Sequence, residues 1–240
     1  MKLTVAIICQ TPPGERLLSS CQFADEIVII IDAIKGKDIS KGKTKVYYRS
    51  LDQDFAAQRN FALSKAKGEW VLFVDTDEII STELIREIQE KIKHNKPVAY
   101  FIPRKDLVFH QVLKHGESGN IKIIRLAQKN AGKFVRPVHE VWKIKGRVGE
   151  LSSPLYHTKD NLVSGFLPRM TQYSQLDAPV LSKENKPFSA LRLFINPLFK
   201  FKLNYVLRGG ILDGYPGLFQ AYLMSVQSLT VRVFQWKNKN

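Results

Sequence analysis

Acidic residues are scarce in this chain. Its 240 residues include 22 Asp and Glu against 37 Lys and Arg, for a formal net charge of +15. The deficit is sharpest in residues 183–240, where nine Lys and Arg face only two acids. A basic excess of that kind points to polyanions: nucleic acid, an anionic membrane surface or phosphorylated substrates, with a merely soluble basic surface as the alternative. Cysteine is nearly absent too. Cys9 and Cys21 make no metal-ligand spacing and fit a reduced, cytosolic compartment. Nowhere does an uninterrupted apolar run approach the roughly 18 residues of a membrane span, so no transmembrane helix is expected. The opening MKLTVAIICQ is too short for a signal-peptide core and reads as a first strand. Internal repeats and low-complexity tracts are missing as well. With 44% hydrophobic residues the chain buries one good-sized core.

What is present begins with short apolar runs. Leu3–Ile8, Glu26–Ile31 and Glu69–Val74 are the β-branched or aromatic stretches expected of strands buried on both faces. Between the first two lies a short helical stretch, Glu15–Gln22. Residues 35–45, with five Lys and two Gly, read as a loop before a small strand at Val46–Tyr48. Asp54 is placed to cap a helix running to Ala66 and ended by Gly68. Ser81 caps another, whose Leu84, Ile85, Ile88 and Ile92 recur at helical spacing. Alternating strands and helices predict a parallel α/β sheet. Beyond Val98, Ala99–Pro103, Ile121–Leu126 and Val141–Ile144 read as strands added to one sheet edge.

The run Trp70-Val-Leu-Phe-Val-Asp75-Thr-Asp77-Glu78 places three carboxylates in four positions directly after a buried strand. Three anions at that density call for a cation. In open α/β sheets ligands bind beyond the carboxyl ends of strands. There an Asp-x-Asp directs two carboxylates at one hard divalent ion, Mg²⁺ or Mn²⁺, which holds a diphosphate in turn. The alternative is that Asp77 or Glu78 merely starts the turn toward the Ser81 helix.

The segment Asp54-Phe-Ala-Ala-Gln-Arg59-Asn60-Phe-Ala-Leu, followed by Ala66-Lys-Gly68-Glu69-Trp70-Val-Leu-Phe-Val-Asp75-Thr-Asp77-Glu78, resembles family 2 glycosyltransferases. It is most similar to the bacterial lipopolysaccharide-core type, over roughly residues 52–95, with a looser likeness from residue 1 to about 175. The resemblance implies a GT-A fold, a Rossmann-like nucleotide-sugar domain with a mixed sheet, over residues 1–182. A basic amphipathic helical segment comes next, at 183–240. It further implies a nucleotide-sugar donor, a UDP-sugar foremost, with Asp75 and Asp77 on the metal. His157, after Pro154-Leu-Tyr, would complete the metal shell or contact phosphate. In Val138-His139-Glu140 it makes Glu140 the base for an inverting transfer and His139 a supporting donor or phosphate contact. Arg59 becomes a diphosphate or carboxylate partner, and Asp32 holds the nucleotide's base or ribose. The family's Asn-Glu-Glu after the first strand is replaced by Gln10-Thr-Pro-Pro-Gly-Glu15. Its Asp-Ser-Gly-Ser-Thr-Asp is replaced by Asp32-Ala-Ile-Lys-Gly-Lys37, so donor identity is open at both loops.

Residues 188–236 interleave aromatics with Lys and Arg, as in Leu198-Phe-Lys-Phe-Lys-Leu. Such a segment lies on an anionic bilayer with apolar side chains inserted and basic heads on lipid phosphates. The competing reading is a pair of helices packed on the catalytic domain. Together these features predict a metal-dependent hexosyltransferase peripheral to the inner face of the cytoplasmic membrane, with a lipid-linked or oligosaccharide acceptor. Two rivals remain: a nucleotidyltransferase, for which the loop Pro12-Pro-Gly-Glu-Arg16 is a trace, and a non-catalytic membrane- or nucleic-acid-binding protein. Nucleic acid is not the expected partner, because no nucleic-acid module is recognisable.

Overall fold

A computed structural model describes residues 2–94, 96–159 and 163–239. The chain divides into two compact units, Met1–Arg104 with Lys122–His157, and Lys105–Ile121 with Thr158–Asn240. The expected linear boundary at 182/183 differs from this division. The later part of a long strand, the short strand after it and the helix ahead of residue 183 all pack with the C-terminal helices.

The first unit contains β1 (Leu3–Cys9), α1 (Glu15–Ser20), β2 (Glu26–Ile31), β3 (Thr44–Tyr48), α2 (Phe55–Lys65), β4 (Trp70–Val74), β5 (Glu78–Ile80) and α3 (Thr82–Lys91). The long strand β6 (Ala99–Val108) starts in this unit and runs on into the second, where β7 (Gln111–Val112) pairs with its end. Then come β8 (Ile121–Gln128), β9 (Gly132–Val135), β10 (Val141–Ile144), β11 (Val148–Glu150) and β12 (Leu155–Thr158). The main sheet has the order β3-β2-β1-β4-β8-β6-β12-β5, with β7 and β11 also on β6. Strands β3, β2, β1 and β4 are mutually parallel, whereas β8 joins β4 antiparallel and β12 joins β5 antiparallel. The sheet is therefore mixed. Val141–Ile144, expected at the sheet edge, instead pairs with β9 in a separate two-stranded ribbon.

Alternation sorts the buried strands onto two cores, because successive side chains point to opposite faces. Val5, Ile7, Ile27, Ile29, Leu72 and Val74 meet Leu17 of α1 and Leu84 and Ile88 of α3. Their neighbours Ala6, Val28, Ile30, Val71 and Phe73 meet Ala56, Ala62 and Leu63 of α2 and the ribbon's Phe134 and Trp142. The caps fall where expected. Asp54 accepts from the Ala57 N–H at 2.8 Å and Ser81 from the Leu84 N–H at 3.2 Å. Gly68 does more than end α2: a Cβ there would lie 2.6 Å from the Thr4 backbone nitrogen, so only glycine lets α2 return to the sheet this closely. Cys9 and Cys21 are buried and unpaired, and burial pushes both thiols up to about 11, which makes them packing residues.

The second unit is helical: α4 (Phe166–Lys183), α5 (Ala190–Lys202), a π-helical turn at Leu203–Leu207, a 3₁₀ turn at Gly210–Asp213, and α6 (Gly214–Lys237). Its interior is thin and partly polar. Val108 and Leu113 pack with Leu223, and Asp106 accepts from Ser118 Oγ at 2.8 Å while pairing with Lys159 Nζ at 2.7 Å. Helix α5 buries none of its residues. Among the described residues no helix is long and apolar enough to cross a membrane.

Candidate functional site

The carboxylates of Asp75, Asp77 and Glu78 stand at the carboxyl end of β4, and a cation does sit among them. It is arginine, supplied twice. Arg59 of α2, only 6% exposed, donates from Nη2 to Asp75 Oδ1 at 3.0 Å and from Nε to Glu140 Oε1 at 2.6 Å. Its guanidinium lies over the rings of Phe73 and Phe134, 5.3 and 5.6 Å from their centroids. Arg125 of β8 donates from Nη2 to Asp75 Oδ2 and stands 3.6 Å from Glu78 Oε1. Both Asp75 oxygens are thus engaged by guanidinium groups.

Burial alone would raise the Asp75 carboxyl, but the Arg125 and Arg59 charges hold it well below the ordinary carboxylate range. Burial would likewise lower Arg125, and the carboxylates of Asp75, Glu78 and Glu140 push it up instead, so it stays charged. Glu78 goes the other way. Its burial raises it, Arg125 only partly offsets this, and the Asp75 charge adds to the rise. Glu78 Oε2 also accepts from the Asp75 N–H at 2.9 Å, closing the turn between β4 and β5. The turn that was the alternative reading of these acids is therefore real for Glu78.

Asp77 faces another way. Its Oδ2 lies 3.5 Å from His157 Nε2, a contact made possible because β12 runs antiparallel to β5 with His157 opposite Glu78. His157 is inside β12 and does not follow it. A carboxylate and an imidazole this close fit two ligands of a divalent ion such as Mn²⁺. Asp75, expected to share that ion, is instead committed to two arginines. Among the described residues no group of three His, Cys, Asp or Glu side chains converges on one metal position.

Glu140 reaches the cluster through a tightly held loop. Arg136 and His139 adopt positive φ angles of 74° and 51°, unusual for residues with a Cβ. Pro137 O accepts from the Phe55 N–H at 2.9 Å at the start of α2, and Val138 is buried. Asn60, next to Arg59, clamps the Phe134 backbone with a donor and an acceptor bond of 2.9 Å each. The Arg-Asn pair on α2 therefore has a division of labour: Asn60 fixes the β9–β10 ribbon and Arg59 takes the carboxylate on the loop within it. Glu140 Oε2 makes no hydrogen bond among the described residues, while His139 is exposed. Asp32, directly after β2 at the same sheet edge, accepts from the Leu51 N–H at 2.8 Å.

The model of the family described as Glycosyl transferase family 2 matches residues 18–139, just over half of the chain. The chain belongs to glycosyltransferase family 2. An uncharacterised glycosyltransferase of Rickettsia typhi is 22% identical over 220 residues, covering 84% of this chain and 74% of its own length. One from Rickettsia conorii is 23% identical over 231 residues, covering 88% and 80%. Among solved structures, S. aureus TarS 1–349 in complex with UDP superposes with a TM-score of 0.50 at 17% identity, over 100% of this chain and 92% of that one. Its complex with UDP-GlcNAc has the same TM-score at 16% identity. These likenesses show a glycosyltransferase whose fold is of the GT-A kind.

Within this family 2 chain, the structure brings Arg59, Asp75 and Glu140 into one cluster and Asp77 with His157 into a second contact. Asp32 is engaged with the Leu51 backbone, and His139 lies exposed on the loop that carries Glu140. Arg125 has no role in the sequence reading, where it simply falls within the expected strand Ile121–Leu126. Its signal was a cation within the otherwise apolar run Ile123-Ile124-Arg125-Leu126-Ala127, since a buried cation requires an anionic partner.

Proposed function

We propose that this family 2 enzyme is a metal-assisted, inverting hexosyltransferase that takes its sugar from a nucleotide-sugar, a UDP-sugar foremost. The acceptor is a lipid-linked or lipopolysaccharide-core glycan of the cell envelope, met at the inner face of the cytoplasmic membrane. The observation that carries this reading is the shared guanidinium: Arg59 ties Glu140 to Asp75, and Asp77, two residues on, faces His157. Glu140 keeps Oε1 on Arg59 and presents Oε2 to the acceptor hydroxyl. As that oxygen attacks the anomeric carbon, its proton passes to Glu140 and the bond to the diphosphate breaks, with the electron pair leaving on the nucleotide. Asp77 and His157 would hold the divalent ion, Mg²⁺ or Mn²⁺, which offsets charge on the departing diphosphate when bound. Asp75 acts through its arginines as a positioning residue, Asp32 contacts the nucleoside, and His139 supports the phosphates. The UDP and UDP-GlcNAc complexes of TarS support the choice of donor.

Calorimetric titration of UDP-sugars with and without Mn²⁺, together with turnover, tests this. Asp77→Ala is expected to remove the metal dependence of donor binding and to abolish transfer without unfolding. Glu140→Gln is expected to lower turnover by about 10²-fold or more at nearly unchanged donor affinity. Collapse of donor affinity in Glu140→Gln with normal turnover at saturation would make Glu140 a donor contact.

A further inference from the structure

A second polar site lies in the helical unit, away from the carboxylate cluster in sequence and chemistry. A pocket of about 450 Å³ is lined by Lys114, His115, Glu117, Asn120 and Arg208, with Gly116 and Gly119 in its wall. It is built around Asp213, which is 4% exposed. Asp213 Oδ2 accepts from the Lys114 and His115 N–H groups at 3.0 and 2.8 Å, and Oδ1 lies 2.8 Å from His115 Nδ1. That bond orients the imidazole and leaves Nε2 as the ring nitrogen Asp213 does not engage. The backbone is shaped to permit this. Gly209 has φ +69°, and a Cβ on it would come within 3.3 Å of His115 Cδ2, while one on Gly210 would lie 2.6 Å from Asn204 O. Asn204 Oδ1 in turn accepts from the Glu117 N–H at 2.8 Å.

The electrostatics of the pocket are those of an anion site. Of its two acids, Asp213 is held by the Lys114 and His115 N–H groups and lies against the His115 ring, and Glu117 is matched by Lys200 Nζ at 2.5 Å and Arg208 Nη1 at 3.3 Å. Lys114, the remaining Arg208 donors and the His115 ring are left to meet a ligand. An ammonium, a guanidinium fork and an imidazole around one space offer donors from several directions to an anion with several oxygens, as a phosphate end group has. Exposed apolar side chains flank Arg208 along the chain. Leu207, Ile211, Leu212 and Tyr215 are exposed, Leu212 and Tyr215 by 74% and 76%. A free phosphate ester in solution has no use for these side chains, whereas a phosphate at the end of lipid chains does.

We infer that the pocket formed by Lys114, His115 and Arg208 binds the terminal phosphate of an anionic lipid. This extends the membrane part of the functional reading and does not depend on the transfer chemistry, so binding rather than turnover tests it. The full chain is sedimented with phosphatidylcholine vesicles carrying either phosphatidate, a phosphate monoester, or phosphatidylglycerol, a diester, at matched surface charge. Wild type is expected to prefer phosphatidate. Arg208→Ala and Lys114→Ala each reduce phosphatidate binding by about fivefold, the worth of roughly 1 kcal/mol per cation, and bring the two lipids level. Lys237→Ala, outside the pocket, weakens both lipids alike. In parallel, NMR of the His115 ring is followed during titration with phosphatidate vesicles and with glycerol 3-phosphate. Equal binding of the two lipids by wild type, with Arg208→Ala behaving as Lys237→Ala does, overturns the site. A His115 response to glycerol 3-phosphate without preference between vesicles puts the ligand in solution and overturns the lipid assignment.

Discussion

All six residues of β2 are buried, whereas none of the thirteen in α5 is, although both segments are largely apolar. The strand has β1 and β3 at its edges and a packed layer over each face, so every side chain finds a partner. Helix α5 leans on α6, with Phe201 4.7 Å from the Tyr222 ring and Ser225 Oγ donating to Pro197 O at 2.8 Å. Its Leu191, Phe194, Ile195, Leu198 and Phe199 stay exposed. Sixteen of the 23 large apolar side chains exposed among the described residues lie between Leu191 and Trp236, a concentration and not scattered exposure. The two regions therefore use apolar residues for different ends. One stabilises a sheet edge on which charges can be held; the other leaves its apolar side chains exposed.

That contrast is broken most severely at the buried charges of the first unit. Arg125→Met is expected to cost about 3–5 kcal/mol, because it leaves the buried Glu78 and the part-buried Asp75 with one guanidinium fewer. Urea unfolding checks this, and a loss below about 1 kcal/mol would mean that solvent already reaches the cluster. A matched pair of apolar substitutions sharpens the contrast next. Ile30→Ala in β2 should cost about 2–5 kcal/mol through the cavity it opens. Phe194→Ser in α5 should stay within about 0.5 kcal/mol, since no packed neighbour is lost, while co-sedimentation with anionic vesicles falls. If Phe194→Ser destabilises as much as Ile30→Ala, α5 is covered by another part of the protein in solution.

The smallest effect concerns Glu87 of α3. Burial alone would raise its carboxyl, but the N–H and hydroxyl groups of Ser152 and the Ser153 N–H, bonding at 2.8–3.0 Å, hold it below the ordinary value. A depressed folded-state carboxyl contributes stability above its unfolded pKa of about 4.3 and loses it as pH falls through the folded value. Glu87 is only part-buried, so the gap between wild type and Glu87→Gln should be under about 1 kcal/mol at about pH 7 and should close by about pH 3. Urea midpoints at both pH values decide it, and a gap that widens on acidification would reverse the assigned sign.

The amino-acid sequence by itself determined what is local. Unbroken β-branched and aromatic runs could only be strands covered on both faces, and Asp54 and Ser81 could only cap the helices that begin one residue later. The position of Asp75-Thr-Asp77-Glu78 after β4 was equally legible, since three carboxylates after a buried strand require a cation. Which cation was not legible. Arg59 and Glu140 are 81 residues apart and Arg125 and Asp75 are 50 apart. Such pairs form only after β8 has aligned antiparallel to β4 and the β9–β10 ribbon has closed over α2. Strand pairing obeys register and chain reversal, which neither hydrophobic period nor propensity encodes, so Val141–Ile144 was a recognisable strand with an unreadable partner. The meeting of His157 with Asp77, and of His115 with Asp213 some 98 residues away, was decided in the same way. Electrostatic partners between distant segments are selected by the packing of the apolar residues that carry them, and only the tertiary structure contains that packing.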